Sequence, residues 1–360
     1  GCIVTDDNGI NYLDFYGGHA VISIGHSHPL YTQRLTEQIQ KIGFYSNAVL
    51  NPLQEKLATR LGEISSKHEF QLFFCNSGAE ANENALKLAS FVTGRKKVVA
   101  FTGSFHGRTS AAVAATDDLS LNATINLQHE VAFVELNNFE SASQIIDSQT
   151  CAVIIEGIQG VAGVIEPTDE FLLHLEMLCK KSGALFILDE VQSGCGRTGD
   201  YFAHTRSGIQ PDLITLAKGI GNGFPIGAVM IAPHIKPKHG MLGTTFGGNY
   251  LACVAALSVI EVMENESLMK NAKDVGDYLL QNLKKVPGVV SVSGRGLMIG
   301  IQFEYPVATI RKQLVEECHI FTGSASSKNT IRLLPPLCIT KAEAQQLVKA
   351  LLHVSSLQPV

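Results

Sequence analysis

From about residue 70 to residue 231 short apolar runs alternate with segments of helical period, and three of those runs end in residues able to do chemistry. Phe70–Cys75 leads into Asn76-Ser77-Gly78-Ala79-Glu80. Ala184–Asp189 leads into Glu190-Val191-Gln192. Leu213–Ala217 delivers Lys218 into the glycine-rich Gly219-Ile220-Gly221-Asn222-Gly223. Strands that alternate with helices pack as a mostly parallel sheet, because each parallel return needs a crossover that covers a face. Ligands of such sheets bind at the carboxyl ends of the strands. An anion cradle, an acid and an amine are therefore expected to meet along one edge. Further strands are predicted at Lys97–Phe101, Val131–Leu136, Ala152–Glu156 and Ile226–Ile231, with helices over Ala79–Phe91 and Thr168–Lys181.

The flanks read differently. Residues 1–43 hold a strand at Tyr12–Phe15 and an amphipathic stretch from Leu30 to Ile42, followed by a helix from Pro52 to Ile64. After Asn249 a helix rich in small residues runs to about Met263 and bridges to a second region. Helices are predicted there at Leu268–Leu283, Val307–Cys318 and Lys341–His353, and strands at Val289–Val292, Leu297–Phe303 and Thr330–Leu334. The expected architecture is α/β: a large domain over 44–260 and a smaller α+β domain from 1–43 and 261–360.

Several function classes are disfavoured. A net charge of −5 offers no basic footprint for nucleic acid. No apolar run approaches the roughly 20 residues of a membrane helix, and 45% apolar against 17% charged residues is a globular composition. Gly1-Cys-Ile-Val-Thr-Asp does not open a signal peptide. It reads as the middle of a strand, so upstream sequence is expected. The eight cysteines contain no C-x-x-C pair, which suggests reduced thiols in a cytoplasmic protein. His26-Ser-His28 offers two metal ligands without a third, and no metal is expected.

Individual residues sharpen the reading. Buried lysines can have depressed pKa values and attack carbonyls as free amines, which suits Lys218. Asp189 ends an apolar strand, where an ionised carboxylate needs a cationic partner such as a protonated ring nitrogen. Glu190 fits a solvent-facing position equally well. Ser77 and Glu80 fit a capping box, and a helix start entered through Gly78 and Ala79 presents free N–H groups to an anion. The G-x-x-x-x-G-K-[ST] loop does not occur, and Gly219-Ile220-Gly221-Asn222-Gly223 does not match G-x-G-x-x-G, which argues against a Rossmann dinucleotide site there. Phe105, in Phe105-His106-Gly107-Arg108, reads as either core or site. Arg108 and Arg332 are guanidiniums beside apolar strands, suited to carboxylates of one or two substrates.

With these segments in place the chain resembles the class III, pyridoxal-phosphate-dependent aminotransferases of fold type I. It is most similar to those acting on N2-acetyl- or N2-succinylornithine. The resemblance runs from Tyr12-Leu-Asp-Phe15 and Gly25-His-Ser-His-Pro29 to Ile331-Arg-Leu-Leu-Pro-Pro336. It includes Asn76-Ser-Gly-Ala-Glu-Ala-Asn-Glu83, Phe105-His-Gly-Arg-Thr109, Leu188-Asp-Glu-Val-Gln192, Gly196-Arg-Thr-Gly199, Leu216-Ala-Lys-Gly219 and Thr245-Phe-Gly-Gly-Asn249.

The resemblance implies a large domain with a mostly parallel sheet, a smaller α+β domain and pyridoxal 5'-phosphate as cofactor. Lys218 matches the lysine that holds the cofactor, and Asp189 the acid paired with its ring nitrogen. Gln192 matches the glutamine near the ring oxygen, Phe105 and Val191 the residues on the two ring faces, and Ser77, Gly78 and Ala79 the phosphate cradle. His106 falls among the cofactor residues. Thr245 matches a threonine reaching the neighbouring subunit's phosphate, which implies a homodimer. Arg108 and Arg332 match the carboxylate-binding arginines, with Asn47, His19 and Glu156 on the substrate side. The implied reaction carries the terminal amine of an acylornithine to 2-oxoglutarate, within arginine biosynthesis. The alternatives are an ornithine or 4-aminobutyrate aminotransferase and, more distantly, a glutamate-semialdehyde aminomutase. Two departures stand out. Val161 occupies a position where related enzymes commonly carry glutamate, and His19 replaces the tyrosine of ornithine aminotransferases. Both disfavour unacylated ornithine.

Overall fold

The computed structural model describes residues 1–357. The N-terminal strands are β1 (Ile3–Thr5) and β2 (Asn11–Phe15). The middle of the chain supplies β3 (Gln71–Cys75), β4 (Lys97–Phe101), β5 (Val131–Val134), β6 (Thr150–Glu156), β7 (Leu185–Asp189), β8 (Leu213–Leu216) and β9 (Gly227–Ile231). These seven form one sheet in the order β3-β9-β8-β7-β6-β4-β5. Every neighbouring pair from β8 to β5 is parallel, whereas β9 runs antiparallel to both β8 and β3. All residues of β6, β7, β8 and β9 are buried, which explains why they read as continuous apolar runs rather than alternating ones.

The chain then contributes β10 (Val289–Arg295), β11 (Met298–Phe303), β12 (Ile320–Ser324) and β13 (Thr330–Leu333) to a second sheet, ordered β1-β2-β12-β13-β11-β10. β12 was not foreseen. It is a short strand with two exposed residues among its five, and its parallel pairing with β2 brings the start of the chain beside a segment near its end. The helix Phe139–Ile145 was also missed. The predicted helices appear within a few residues of expectation, at Pro29–Lys41, Pro52–Ser65, Gly78–Thr93, Asp169–Ser182, Tyr250–Asn265, Leu268–Leu283, Ala308–Glu316 and Lys341–Ser356.

Tyr250–Asn265 fits between layers because small residues line it. Ala252, Ala255 and Ala256 are buried, and the helix packs against Pro29–Lys41, Pro52–Ser65, Leu268–Leu283 and the turn at Lys218. Through these contacts it braces the turn that carries the amine. No described helix is long and apolar enough to cross a membrane.

Candidate active site

β6, β7 and β8 end side by side, with Glu156 in register with Asp189 and Asp189 with Thr215. Residues paired across a parallel ladder face the same side, so these three form one buried row. Immediately beyond β8 the backbone turns over Lys218–Ile220, and Lys218 sits at φ +49. That left-handed conformation costs a side-chain-bearing residue about 1–3 kcal/mol and persists only where its surroundings hold it. Here the N-terminal segment does so. Ser23 Oγ donates to Gly219 O at 2.6 Å and Tyr31 Oη to Gly221 O at 2.6 Å. Asn222 Oδ1 accepts the Ser23 and Ile24 N–H groups at 2.8 and 3.1 Å. Lys218 lines the cavity. Burial depresses its pKa, the Asp189 and Glu156 carboxylates oppose that, and Arg332 adds to it.

Asp189 is 3% exposed and accepts three N–H groups. His106 Nδ1 and Asn82 Nδ2 each lie 2.7 Å from Oδ2, and the Val191 N–H donates to Oδ1 at 3.0 Å. Asn82 is fixed in turn by Thr215 Oγ1, which donates to its Oδ1 at 2.6 Å, and by its own second bond to His106 O at 2.8 Å. His106 Nε2 is buried without a partner among the described residues. The carboxylate thus has a fixed orientation but retains lone pairs for a further donor.

Opposite this floor, Ser77 caps the helix Gly78–Thr93 by accepting the Glu80 N–H at 3.1 Å. The expected reciprocal bond is displaced by one residue, since Glu80 Oε2 accepts the Asn76 N–H at 2.8 Å instead. The Gly78 and Ala79 N–H groups have no acceptor among the described residues, as befits a helix start facing a cavity. Gly78 is required by packing: a Cβ there would come 2.6 Å from Val191 Cγ1. The cavity is about 390 Å³, and its walls include Ser77, Gly78, Ala79, Asn82, Phe105, His106, Arg108, Glu156, Val161, Asp189, Val191, Gln192 and Lys218.

The substrate-side residues are less gathered. Arg108 lines the cavity, is exposed and has no partner among the described residues. Arg332 is 5% exposed, hydrogen-bonds through Nε to Ser324 O and lies 3.5 Å through Nη1 from Gln192 Oε1. It makes no ion pair among the described residues, and burial depresses its pKa. Gln192 Nε2 donates to His19 O at 3.2 Å, so His19 touches the site through its carbonyl, while its ring hydrogen-bonds Tyr16 Oη. Asn47 and Thr245 are not part of the cavity wall. Asn47 Nδ2 bonds Thr244 O and Gly247 O, both at 3.3 Å, and Thr245 is exposed on that same loop.

Two sequence readings change. Glu190 does not face solvent: it is wholly buried and accepts His204 Nδ1 at 2.7 Å, Ser193 Oγ at 2.6 Å and the N–H groups of Ala203 and His204. Its role is to clasp the loop after β7. Asn82 was not singled out, although an asparagine on the apolar face of a helix signals a buried polar group that must find partners. His26 and His28 are engaged separately, by Asp14 and Glu266, each at 2.8 Å.

A family model for class-III aminotransferases matches residues 1–354. An acetylornithine aminotransferase from Archaeoglobus fulgidus is 44% identical over 356 residues, covering 98% of this chain and 93% of that one. A Bacillus cereus acetylornithine aminotransferase is 40% identical over 355 residues, covering 97% and 91%. An ornithine aminotransferase from Toxoplasma gondii, with pyridoxal phosphate at partial occupancy, superposes with a TM-score of 0.92 at 27% identity, covering 99% of this chain and 89% of that one. With an amine, a buried acid and a helix-start cradle around one cavity, the chain belongs to the class-III aminotransferases.

Proposed function

We propose that the protein transfers the terminal amino group of an N2-acylornithine to 2-oxoglutarate, as a cytoplasmic homodimer serving arginine biosynthesis. Enzymes of this class use pyridoxal 5'-phosphate, and the cavity suits it. Asp189 is a buried carboxyl with spare lone pairs, the Gly78 and Ala79 N–H groups lack acceptors among the described residues, and burial biases the Lys218 amine toward its neutral form. The cofactor supplies the electron sink for the carbanion formed at the amino-bearing carbon.

The chain's own residues supply the rest. Lys218 Nζ is the amine that would hold the cofactor, and as a free base it could carry a proton at the reacting carbons. Asp189, oriented by His106, Asn82 and the Val191 N–H, would pair with the ring nitrogen and favour its protonated form. Phe105 and Val191 would flank the ring, Gln192 would face its oxygen, and Ser77, Gly78 and Ala79 would take the phosphate. Thr245, exposed on its loop, would reach the phosphate of a neighbouring subunit.

The observation that carries the substrate assignment is a pair of guanidiniums, Arg108 on the cavity wall and Arg332 buried beside the cavity residue Gln192, neither with a carboxylate partner among the described residues. They suit the carboxylates of acylornithine and of glutamate. Val161, a cavity residue, cannot form an ion pair with Arg332, which disfavours the ornithine and 4-aminobutyrate readings. The acetylornithine aminotransferase relatives support the same donor. A donor panel of N2-acetylornithine, N2-succinylornithine, ornithine and 4-aminobutyrate tests this. The acyl donors give the highest kcat/KM, and a preference for ornithine would overturn the assignment.

A further inference from the structure

Glu156 is 6% exposed at the end of β6 and makes no ion pair among the described residues. Its two oxygens are used separately, across the cavity. Oε1 accepts the Phe105 N–H at 2.9 Å, and Oε2 accepts the Gly160 N–H at 3.0 Å. One carboxyl thus ties together two loops from different parts of the chain. The first presents Phe105 to the cavity. The second carries Gly160, where a Cβ would run into Gln192 Oε1, and Val161, whose carbonyl accepts the Ser326 N–H at 2.9 Å. Each carboxyl oxygen of Glu156 thus accepts one backbone N–H.

We propose that Glu156 is a positioning residue, a clamp that in its ionised form holds the Phe105 wall against the Gly160–Val161 wall and thereby tightens the cofactor cavity. Two N–H donors are best met by a carboxylate, because a neutral acid places a proton on one of the two oxygens. Burial opposes that ionised form and pushes the Glu156 pKa up to about 7. The proximity of His106 works the other way, and Asp189, its register neighbour, adds to the rise. Lys218 and Arg332 are the other charged groups facing it. The sign of the linkage follows. A carboxyl whose folded pKa is raised contributes stability that is complete below its unfolded value and is lost as pH rises through about 7. The clamp therefore closes, at a cost to stability, as pH rises through neutrality.

The proposal rests on reading this cavity as the cofactor site, and the test separates the two. Affinity for pyridoxamine phosphate, which forms no covalent bond to Lys218, is measured from pH 5.5 to 8.5 for the wild type, Glu156→Gln and Glu156→Asp. The ligand's own titration cancels in the ratio of variant to wild-type Kd. The expected Glu156→Gln ratio is near one at pH 5.5 and rises to about tenfold at pH 8.5, with its midpoint near 7. Glu156→Asp keeps the charge but is one methylene short of spanning both N–H groups, so it also weakens binding at pH 8.5. A ratio that ignores pH, or a Glu156→Asp variant that binds like the wild type at pH 8.5, overturns the clamp. Hydrogen exchange of the cofactor-free wild type provides a second reading, which needs no variant. Protection of the Phe105 and Gly160 amides, corrected for intrinsic rates, falls as pH drops from 8 to 6, and unchanged protection overturns the proposal. Failure of pyridoxamine phosphate to bind the wild type at any pH refutes the cofactor reading, while the exchange experiment still decides the clamp.

Discussion

Asp189 and Arg108 line the same cavity, yet they are held in opposite ways. Asp189 is 3% exposed and carries three N–H donors, one of them from an asparagine that is itself fixed by two further bonds. Arg108 is exposed and has no partner among the described residues. The floor is oriented before any ligand arrives, which is how fixed dipoles favour a developing charge without reorganising during reaction. The mouth leaves its cation unpaired, so that a ligand carboxylate replaces water rather than a protein partner. Alternating substrates of different length use one rigid chemical centre and an adaptable entrance.

Breaking the floor has the largest effect. Asp189→Asn keeps the side chain's shape, but it removes the charge that keeps the ring nitrogen protonated. It also sets an amide against a backbone or side-chain donor. Turnover falls by about 10²-fold, equivalent to about 2.7 kcal/mol of barrier. Near-normal turnover in a folded, cofactor-loaded variant would remove Asp189 from the mechanism.

The two arginines sharpen the contrast between depth and mouth. Arg332→Ala weakens the glutamate half-reaction by about tenfold or more and the acylornithine half-reaction less, whereas Arg108→Ala weakens both, in line with about 1.5–3 kcal/mol for a charged hydrogen bond. Val161→Glu reproduces the Arg332→Ala bias more weakly by giving that arginine an acid partner. Single-turnover absorbance measurements on each half-reaction decide. Equal losses in both halves for Arg332→Ala would end the division of labour.

The smallest effect is expected at Thr245, which acts only if a second subunit covers the mouth. Thr245→Val raises the Kd for cofactor by about tenfold or less, the loss of one hydrogen bond to a charged group. Sedimentation showing a fully active monomer, or unchanged cofactor affinity, would remove Thr245 and the shared site together.

The legibility of the site in the sequence followed the same division. Lys218, Asp189, Ser77, Gly78, Ala79 and Phe105 could be singled out because each stands next to an apolar strand or a helix start, where a polar or special residue has a local meaning. All six line the cavity. Glu156 was legible as a site residue, but its use of both oxygens on Phe105 and Gly160 was not, because the three are far apart in the chain. Asn82 was hidden for a related reason: its partners His106, Asp189 and Thr215 belong to other elements. Glu190 looked free because the sequence does not reveal that the chain folds His204 back over it.

By itself the sequence determined the alternation of strands and helices, the apolar runs of the central sheet and the chemistry placed at their ends. These depend on periodicity and burial, which are local. Tertiary structure alone decided that β9 runs antiparallel, that β2 at the start of the chain pairs with β12 near its end, and that Ser23, Tyr31 and Asn222 hold Lys218 in a left-handed turn. Strand direction, partner choice and backbone strain are set by contacts between residues far apart in the chain. No local pattern encodes them, because each is stabilised only once the whole sheet is assembled.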